Sequence, residues 1–168
     1  MRELTIRLMR PNDIPALESI ALACYPADFF ESTRAFQSKL EQSASSCFVA
    51  CKRTQVVGYL IAMPALLSSP PLLNTETKTL PADPDTLYLH DLALMPDCRG
   101  TGIGAALVAA FFAEQMAFQL PNAALVAIQN SAPYWRRYGF APAETTIDLG
   151  DKIASYGRDA SYMVKAMG

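Results

Sequence analysis

Three glycines at alternate positions constrain this chain more than any other feature. They occur in Arg99-Gly-Thr-Gly-Ile-Gly104, between the apolar run Leu92-Ala-Leu-Met95 and a stretch that favours a long helix over residues 101–119. The N–H groups at a helix start lack intrahelical partners, and glycines let the main chain approach a ligand closely. Together with the helix dipole and the charge of Arg99, they predict a binding site for phosphate groups.

Several classes of phosphate-binding loop share such glycines. A nucleotide-triphosphate loop requires Gly-Lys-Ser/Thr, which this sequence lacks. The dinucleotide fingerprint is formally met by Gly100-Thr-Gly-Ile-Gly-Ala105, but there the glycines follow the strand directly, whereas here Pro96-Asp-Cys98 intervenes. The next predicted strand, residues 124–128, leads into Gln129-Asn130 instead of the acid that binds a ribose. A dinucleotide is therefore disfavoured.

Length and composition indicate one domain over residues 1–168. The 168 residues carry a net charge of −2, which argues against a nucleic-acid binder. No signal peptide is recognisable, and no apolar run reaches the roughly 18 residues of a membrane span. The four cysteines have no metal-like spacing and are expected to be reduced thiols. We expect a cytoplasmic protein without a metal, a nucleic-acid partner or a membrane partner, and a homodimer stays open.

The hydrophobic pattern predicts an α/β domain of α+β character, with a mixed, mostly antiparallel sheet flanked by helices. Strands are expected at residues 4–10, 47–52, 56–63, 86–95, 124–128, 145–149 and 161–165, and helices at residues 11–23, 32–42, 101–119 and 132–138. Residues 64–84 are rich in proline, serine and threonine and are expected to form a long loop. Such loops often act as lids or as walls of a substrate pocket.

The segment from Leu92 to Leu107 resembles the central motif of the GNAT N-acyltransferases. In that motif an apolar strand ending in proline leads to Arg/Gln-x-x-Gly-x-Gly/Ala and a long helix. The second family motif, an aromatic pair, three residues and Gly-Phe, is matched by Tyr134-Trp-Arg-Arg-Tyr-Gly-Phe140. The order of elements fits over essentially the whole chain. The resemblance implies a single GNAT-type domain that transfers an acetyl group from acetyl-CoA to an amine.

The resemblance also implies how acetyl-CoA is bound. Main-chain groups of the glycine loop would hold the pyrophosphate, and the pantetheine arm would pair with the strand before it like an added strand. A main-chain N–H at the splayed strand would polarise the thioester carbonyl. The implied cofactor-binding residues are Leu92, Ala93, Leu94, Arg99, Gly100, Thr101, Gly102, Ile103, Gly104, Ala105 and Trp135.

His90 is the only histidine, and an imidazole suits removal of a proton from an amine near neutral pH. Leu89-His-Asp-Leu-Ala-Leu94 most resembles the aralkylamine N-acetyltransferases, in which the equivalent histidine is one of a pair implicated in proton removal. Tyr88 stands where the second member of that pair would be. The alternative for His90 is a buried histidine hydrogen-bonded within the sheet. Asp91 is expected on the opposite face of a regular strand, unless a bulge changes its direction.

The second motif departs from the family at Trp135. Many members carry a tyrosine there that is placed to protonate the leaving thiolate, a role an indole does not share. Tyr134 or a water could supply the proton instead. Alternatively, the CoA thiol leaves as a thiolate without an acid, which we favour, and Trp135 is then a packing wall beside the thioester.

The acceptor amine is expected to enter opposite the cofactor, against residues 24–31 and the loop 64–84. Asp28 and Glu31 beside Phe29 and Phe30 would suit a cationic amine with an apolar body, although a solvated loop with aromatic side chains in the core fits equally well. The leading hypothesis is acetyl transfer to a primary amine of a small molecule. The alternatives are a non-catalytic acyl-CoA sensor and a peptide or protein N-acetyltransferase.

Overall fold

A computed structural model describes residues 3–154 and 156–167 of the chain. Its elements in chain order are β1 (Leu4–Leu8), α1 (Ile14–Cys24), α2 (Thr33–Gln42), β2 (Cys47–Lys52), β3 (Gln55–Ala65), β4 (Thr86–Leu94), α3 (Ile103–Ala117), β5 (Asn122–Ala127), α4 (Ala132–Arg136), β6 (Ala141–Pro142), α5 (Ile147–Ala154) and β7 (Ser161–Ala166). No helix among the described residues is long and apolar enough to cross a membrane.

Within the described residues, seven strands form one sheet in the order β1-β2-β3-β4-β5-β7-β6. Neighbouring strands are antiparallel except for β4 and β5, which run parallel. The predicted fold class, a mixed and mostly antiparallel sheet flanked by helices, is confirmed. The parallel pair is joined through α3, as a crossover between parallel strands requires.

The two faces of the sheet bury different helices. On one face, Leu107 and Phe111 of α3 are fully buried in a cluster with Leu60 and Leu87 of the sheet. On the other face, α1 and α2 pack over β3, where the rings of Phe36 and Tyr59 meet edge to face with centroids 6.1 Å apart. Apolar residues three and four apart on each helix produce these buried faces.

One predicted strand is a helix. Residues 145–149 were expected to be extended, but they lead into α5, whose Leu149 and Ile153 lie one helical turn apart and are buried beside Tyr162. The Thr146 Oγ1 accepts a hydrogen bond from the main-chain N of Leu149 at 3.2 Å, as an N-cap side chain does. The sheet instead gains the two-residue strand β6, which pairs with β7.

Two irregularities in β4 shape the centre of the molecule. Asp91 pairs with Ile61 and Leu89 with Ala62, so His90 is an extra residue in a β-bulge. β4 also pairs with β5 only from Thr86 to Leu89, after which the two strands separate. The bulge interrupts the alternation of side chains, so His90 and Asp91 both contact residues of the α1 side. The expectation that Asp91 lies on the opposite face, which assumed a regular strand, was therefore wrong.

The predicted long loop follows β3 and spans residues 66–85. Tyrosine hydroxyls fix it in two places, since Tyr156 Oη donates to Pro71 O at 2.6 Å and Tyr162 Oη donates to Leu67 O at 2.7 Å. Farther along, Lys39 Nζ of α2 donates to Thr75 O at 2.8 Å. The loop is thus held against the start of β7, Tyr156 beyond α5, and the helix α2.

Candidate active site

A cleft of about 710 Å³ opens where β4 and β5 separate. Its volume lies within the usual range of pockets for small molecules. One side is formed by the end of β4, the glycine loop and α4. The other side is lined by Cys24, Tyr25, Phe29, Glu31, Leu73 and Tyr156.

The glycine loop has the conformation that a ligand cradle requires. Gly100 and Gly102 have φ angles of +72° and +84°, which side-chain-bearing residues rarely adopt. A Cβ added at either position would meet no atom within 4 Å, so the space above the loop is open. Arg99, exposed beside it, also lines the cleft. This arrangement suits a diphosphate group approaching the start of α3.

Most of the predicted cofactor-binding residues line the cleft, but two do not. Thr101 Oγ1 is hydrogen-bonded back to Cys98 O. Ile103 is 2% exposed and packs into the core beneath α3. The residues that do line the cleft are Leu92, Ala93, Leu94, Arg99, Gly100, Gly102, Gly104, Ala105 and Trp135.

The main chain of β4 beyond Leu89 lacks a β5 partner among the described residues. His90 as a whole is partly exposed although its side chain has 0% exposure, so its accessible surface belongs to the main chain. Unpaired strand groups of this kind can bind an extended, amide-containing ligand as an added strand.

The His90 imidazole is held by Glu31. Its Nε2 lies 2.6 Å from Glu31 Oε1, while Glu31 Oε2 lies 3.3 Å from Lys39 Nζ. Burial by itself raises the pKa of Glu31, but the charges and hydrogen bonds of His90 and Lys39 outweigh it and lower the pKa to about 2. Glu31 is therefore a carboxylate at neutral pH. The buried His90 Nδ1 has no hydrogen-bond partner among the described residues.

Asp91 lies beside this group and is bound by two tyrosines. Tyr25 Oη donates to Asp91 Oδ1 at 2.6 Å, and Tyr59 Oη donates to Oδ2 at 2.7 Å. Burial and the charge of Glu31 raise the pKa of Asp91 to about 6, against the opposing effect of the two hydroxyls. A carboxyl group that titrates this close to neutral pH marks a candidate for acid–base chemistry.

Of the three predicted catalytic residues, His90 and Tyr134 line the cleft and Tyr88 does not. Tyr88 is 1% exposed, does not line the cleft, and donates its hydroxyl to Tyr156 Oη at 3.3 Å. Tyr134 does line it, and its Oη lies 3.3 Å from Tyr138 Oη. Burial and that hydrogen bond raise the pKa of Tyr134. The imidazole of His90 has no exposed surface.

The two tyrosines near Trp135, one in α4 and one just after it, lie beside the indole. Tyr134, Trp135 and Tyr138 all line the cleft. The rings of Tyr134 and Trp135 meet edge to face with centroids 4.9 Å apart. Trp135 is also 7% exposed and packed into the core, so it forms part of the wall of the cleft; its position beside the thioester stays a prediction.

The residues predicted for the acceptor pocket divide into two sets. Asp28 and Phe30 are exposed and lie outside the cleft, whereas Phe29 and Glu31 line it. The carboxylate of Glu31 is already paired with Lys39 and hydrogen-bonded to His90. The segment 24–31 that was expected on the acceptor side includes Tyr25, but no role was predicted for this residue, because its contact with Asp91 spans 66 residues of chain.

The site thus offers a cradle for phosphate groups and a strand edge for peptide-like amides. The sequence profile of the Acetyltransferase (GNAT) family matches residues 14–140. The chain belongs to this family. No curated protein sequence matches the chain.

Solved structures share the fold at low sequence identity. A GNAT family acetyltransferase from Brucella melitensis in complex with acetyl-CoA is 18% identical with a TM-score of 0.64, covering 100% of this chain and 90% of its own. Naa50 of Arabidopsis thaliana in complex with the bisubstrate analogue CoA-Ac-MVNAL is 14% identical with a TM-score of 0.71, covering 98% and 99%. The ribosomal-protein-S18-alanine N-acetyltransferase of Escherichia coli is 19% identical with a TM-score of 0.68, covering 99% and 96%.

Family membership confirms the predicted enzyme class, an acetyl-CoA-dependent acetyltransferase. One of these structures contains a bisubstrate analogue with a peptide part, and another is an enzyme named for acetylation of a ribosomal protein. The fold therefore does not decide which kind of acceptor this chain uses. The finer likeness to the aralkylamine-type enzymes has no support among these structures.

Proposed function

We propose that the protein transfers an acetyl group from acetyl-CoA to a primary amine of a small molecule. The observation that carries this proposal is the continuity of the cleft. It extends from the open glycine cradle past the unpaired end of β4 to an aromatic region formed by Tyr25, Phe29 and Tyr156. One ligand would thus occupy the cradle and strand edge, and a second would meet its acyl end from the aromatic side.

The acceptor side of the cleft favours a compact substrate. Leu73 of the loop 66–85 lines it, and the next residue is fixed by a hydrogen bond from its main-chain N to Glu31 Oε2 at 3.2 Å. The loop is also held by Tyr156 at Pro71. A loop tethered at both places leaves an aromatic pocket instead of a long open groove, which suits a small amine with an apolar body.

The chemistry we propose is direct attack by the amine. A main-chain N–H at the end of β4 would stabilise the oxyanion that forms on the thioester carbonyl, and the thiol of CoA is acidic enough to leave as a thiolate. The raised pKa of Tyr134 makes it a poor acid, which agrees with a departure that needs no proton donor. Proton removal by His90 stays a prediction, since a substrate would have to reach an imidazole without exposed surface.

The test measures thiol release from acetyl-CoA in the presence of small amines, N-terminal peptides and unmodified proteins. We expect turnover with small, partly apolar primary amines, and product mass spectra with one added acetyl group. Turnover with peptides or proteins but with no small amine would contradict the proposed acceptor and show that the acceptor is a polypeptide. Acetyl-CoA binding without turnover across all three sets would favour the sensor hypothesis that Trp135 suggests.

A further inference from the structure

We propose that Tyr25 and Asp91 form the route by which the proton of the acceptor amine leaves the cleft, with the Tyr25 hydroxyl touching the substrate and Asp91 receiving the proton. This inference rests on the proposed acetyl transfer to an amine. It assigns a role to the one carboxylate of the cleft that has no cationic side chain bound to it in residues 3–154 and 156–167.

Tyr25 occupies the place that such a relay requires. It is the residue at which α1 ends, it lines the cleft, and it remains partly exposed. Its Oη lies 2.6 Å from Asp91 Oδ1 and 3.0 Å from Leu92 O. Leu92 belongs to the part of β4 that has separated from β5. The hydroxyl therefore lies beside the strand segment against which the acyl end of the cofactor is proposed to bind.

Asp91 is better suited to accept a proton than its charged neighbours. The pKa of Glu31 is about 2, so that carboxylate is a weak base. Asp91, at about 6, is mostly ionised at neutral pH and close to the range in which general bases are most effective. The imidazole of His90 has no exposed surface, whereas Asp91 is connected to the cleft through Tyr25.

The step conserves atoms and charge. One N–H bond of the substrate ammonium breaks and its proton joins Tyr25 Oη, while the proton that Tyr25 carried moves to Asp91 Oδ1. The amine becomes neutral and gains the lone pair with which it attacks the thioester. Asp91 becomes a neutral carboxylic acid, and Tyr25 is unchanged. No further reactant is needed.

The same arrangement explains which carboxylate attracts the amine. Lys39 is paired with Glu31 and His90 is hydrogen-bonded to it, so Asp91 is the carboxylate at the acceptor side without a cationic side chain on it in the described part of the chain. Charged and titratable groups approach Asp91 from three elements and one loop: Tyr25 from the end of α1, Tyr59 from β3, His90 from β4, and Glu31 from the segment before α2.

Two tyrosines give the experiment a matched pair. Tyr25→Phe and Tyr59→Phe each remove one hydroxyl that donates to Asp91, but Tyr59 is 0% exposed and does not line the cleft. The measurement is kcat/KM against pH with the best amine, alongside acetyl-CoA affinity and thermal unfolding for each variant. Both changes should move the acid limb to higher pH, because each removes a donor that stabilises the carboxylate.

Only Tyr25→Phe should also lower the plateau of kcat/KM above that limb, by roughly 100-fold, the usual size of a general acid–base contribution. We expect the plateau of kcat/KM for Tyr59→Phe to lie within a few-fold of the wild-type plateau. Equal plateaus for the two variants, with the wild type active, overturn the relay but leave acetyl transfer intact. A wild type that turns over no amine overturns the proposed function instead.

Carboxyl-carbon NMR of the resting protein tests the contact itself without turnover. The Asp91 signal, identified by its loss in Asp91→Asn, should titrate near pH 6 in the wild type and at higher pH in Tyr25→Phe. An Asp91 titration that Tyr25→Phe leaves unmoved shows that the hydroxyl does not serve this carboxylate, and the relay is then excluded. This readout also holds if either phenylalanine variant folds less stably.

Discussion

At the scale of single residues, the cradle depends on backbone conformations that glycine adopts without strain. Gly102→Ala places a side chain at a φ of +84°, which costs about 1 kcal/mol, and directs a methyl group into the open space above the loop. We therefore expect a small loss of stability and a much larger loss of acetyl-CoA affinity. Isothermal titration and thermal unfolding of the same sample measure the two effects.

Gly150→Ala is the matched control for this prediction. Gly150 lies in α5 without a positive φ, and its added Cβ would meet only Thr145 Oγ1 at 3.8 Å. Alanine is the better helix former, so this variant should be at least as stable as the wild type and bind acetyl-CoA unchanged. Equal affinities for both glycine variants would show that the space above Gly102 is not where the cofactor binds.

At the scale of elements, the start of α3 lies against Tyr134 of α4, and the residue at this contact is the small Gly104. A Cβ at Gly104 would lie 2.9 Å from Tyr134 Oη. The Tyr134 ring is held edge to face against Trp135 and Tyr138, so that moving it breaks these contacts. Gly104→Ala should therefore destabilise the protein by about 1–3 kcal/mol through overpacking. Tyr134→Phe removes the clashing atom, so the double variant should recover much of that loss, with a coupling energy of roughly 0.5–3 kcal/mol in urea unfolding.

Gly58→Ala distinguishes this contact from a general effect of Tyr134→Phe. Its Cβ would lie 2.5 Å from Leu94 Cδ2 and 3.2 Å from Ala93 O, and no atom of Tyr134 is among its nearest neighbours. We expect the Gly58→Ala loss to persist in the Tyr134→Phe background. A rescue of both glycine variants to the same extent would contradict the proposed contact between α3 and α4.

Most helices and strands were predictable because the residues that specify them are close together in the sequence. Ser32 caps α2 by accepting from the main-chain N of Ala35, as its position before an amphipathic run suggests. No neighbouring residues predict the bulge at His90, because the bulge arises from the register in which β4 pairs with β3. The helix α5 was missed although its residues follow a helical period, because the β-branched run Thr145-Thr-Ile147 is also typical of a strand.

At the scale of the whole molecule, two buried carboxyl groups shift stability with pH in opposite directions. The pKa of Glu31 is lowered from 4.5 to about 2, so its contribution is present above pH 4.5 and is lost as the pH falls toward 2. The pKa of Asp91 is raised from 3.8 to about 6, so the folded state binds the extra proton and stability falls as the pH rises from 3.8 to 6.

Asp91→Asn should remove the second effect. From pH 4 to pH 7, the titration of Asp91 lowers the free energy of unfolding of the wild type by roughly 2 kcal/mol, and the variant lacks this loss. Denaturant unfolding of both proteins at several pH values measures the difference, which cancels the titration of groups they share. A difference that is constant over this range would mean that Asp91 titrates at its ordinary pKa.

The sequence alone determined the glycine loop, the order of most elements and the family, because these depend on local conformation and on motifs of consecutive residues. Tertiary structure decided the chemistry of the acceptor side. Cross-strand pairing created the bulge that turned Asp91 toward Tyr25, and packing of α2 gave Glu31 its partner Lys39. Contacts between residues so far apart in the chain arise only when strands pair and helices pack, so no local pattern records them.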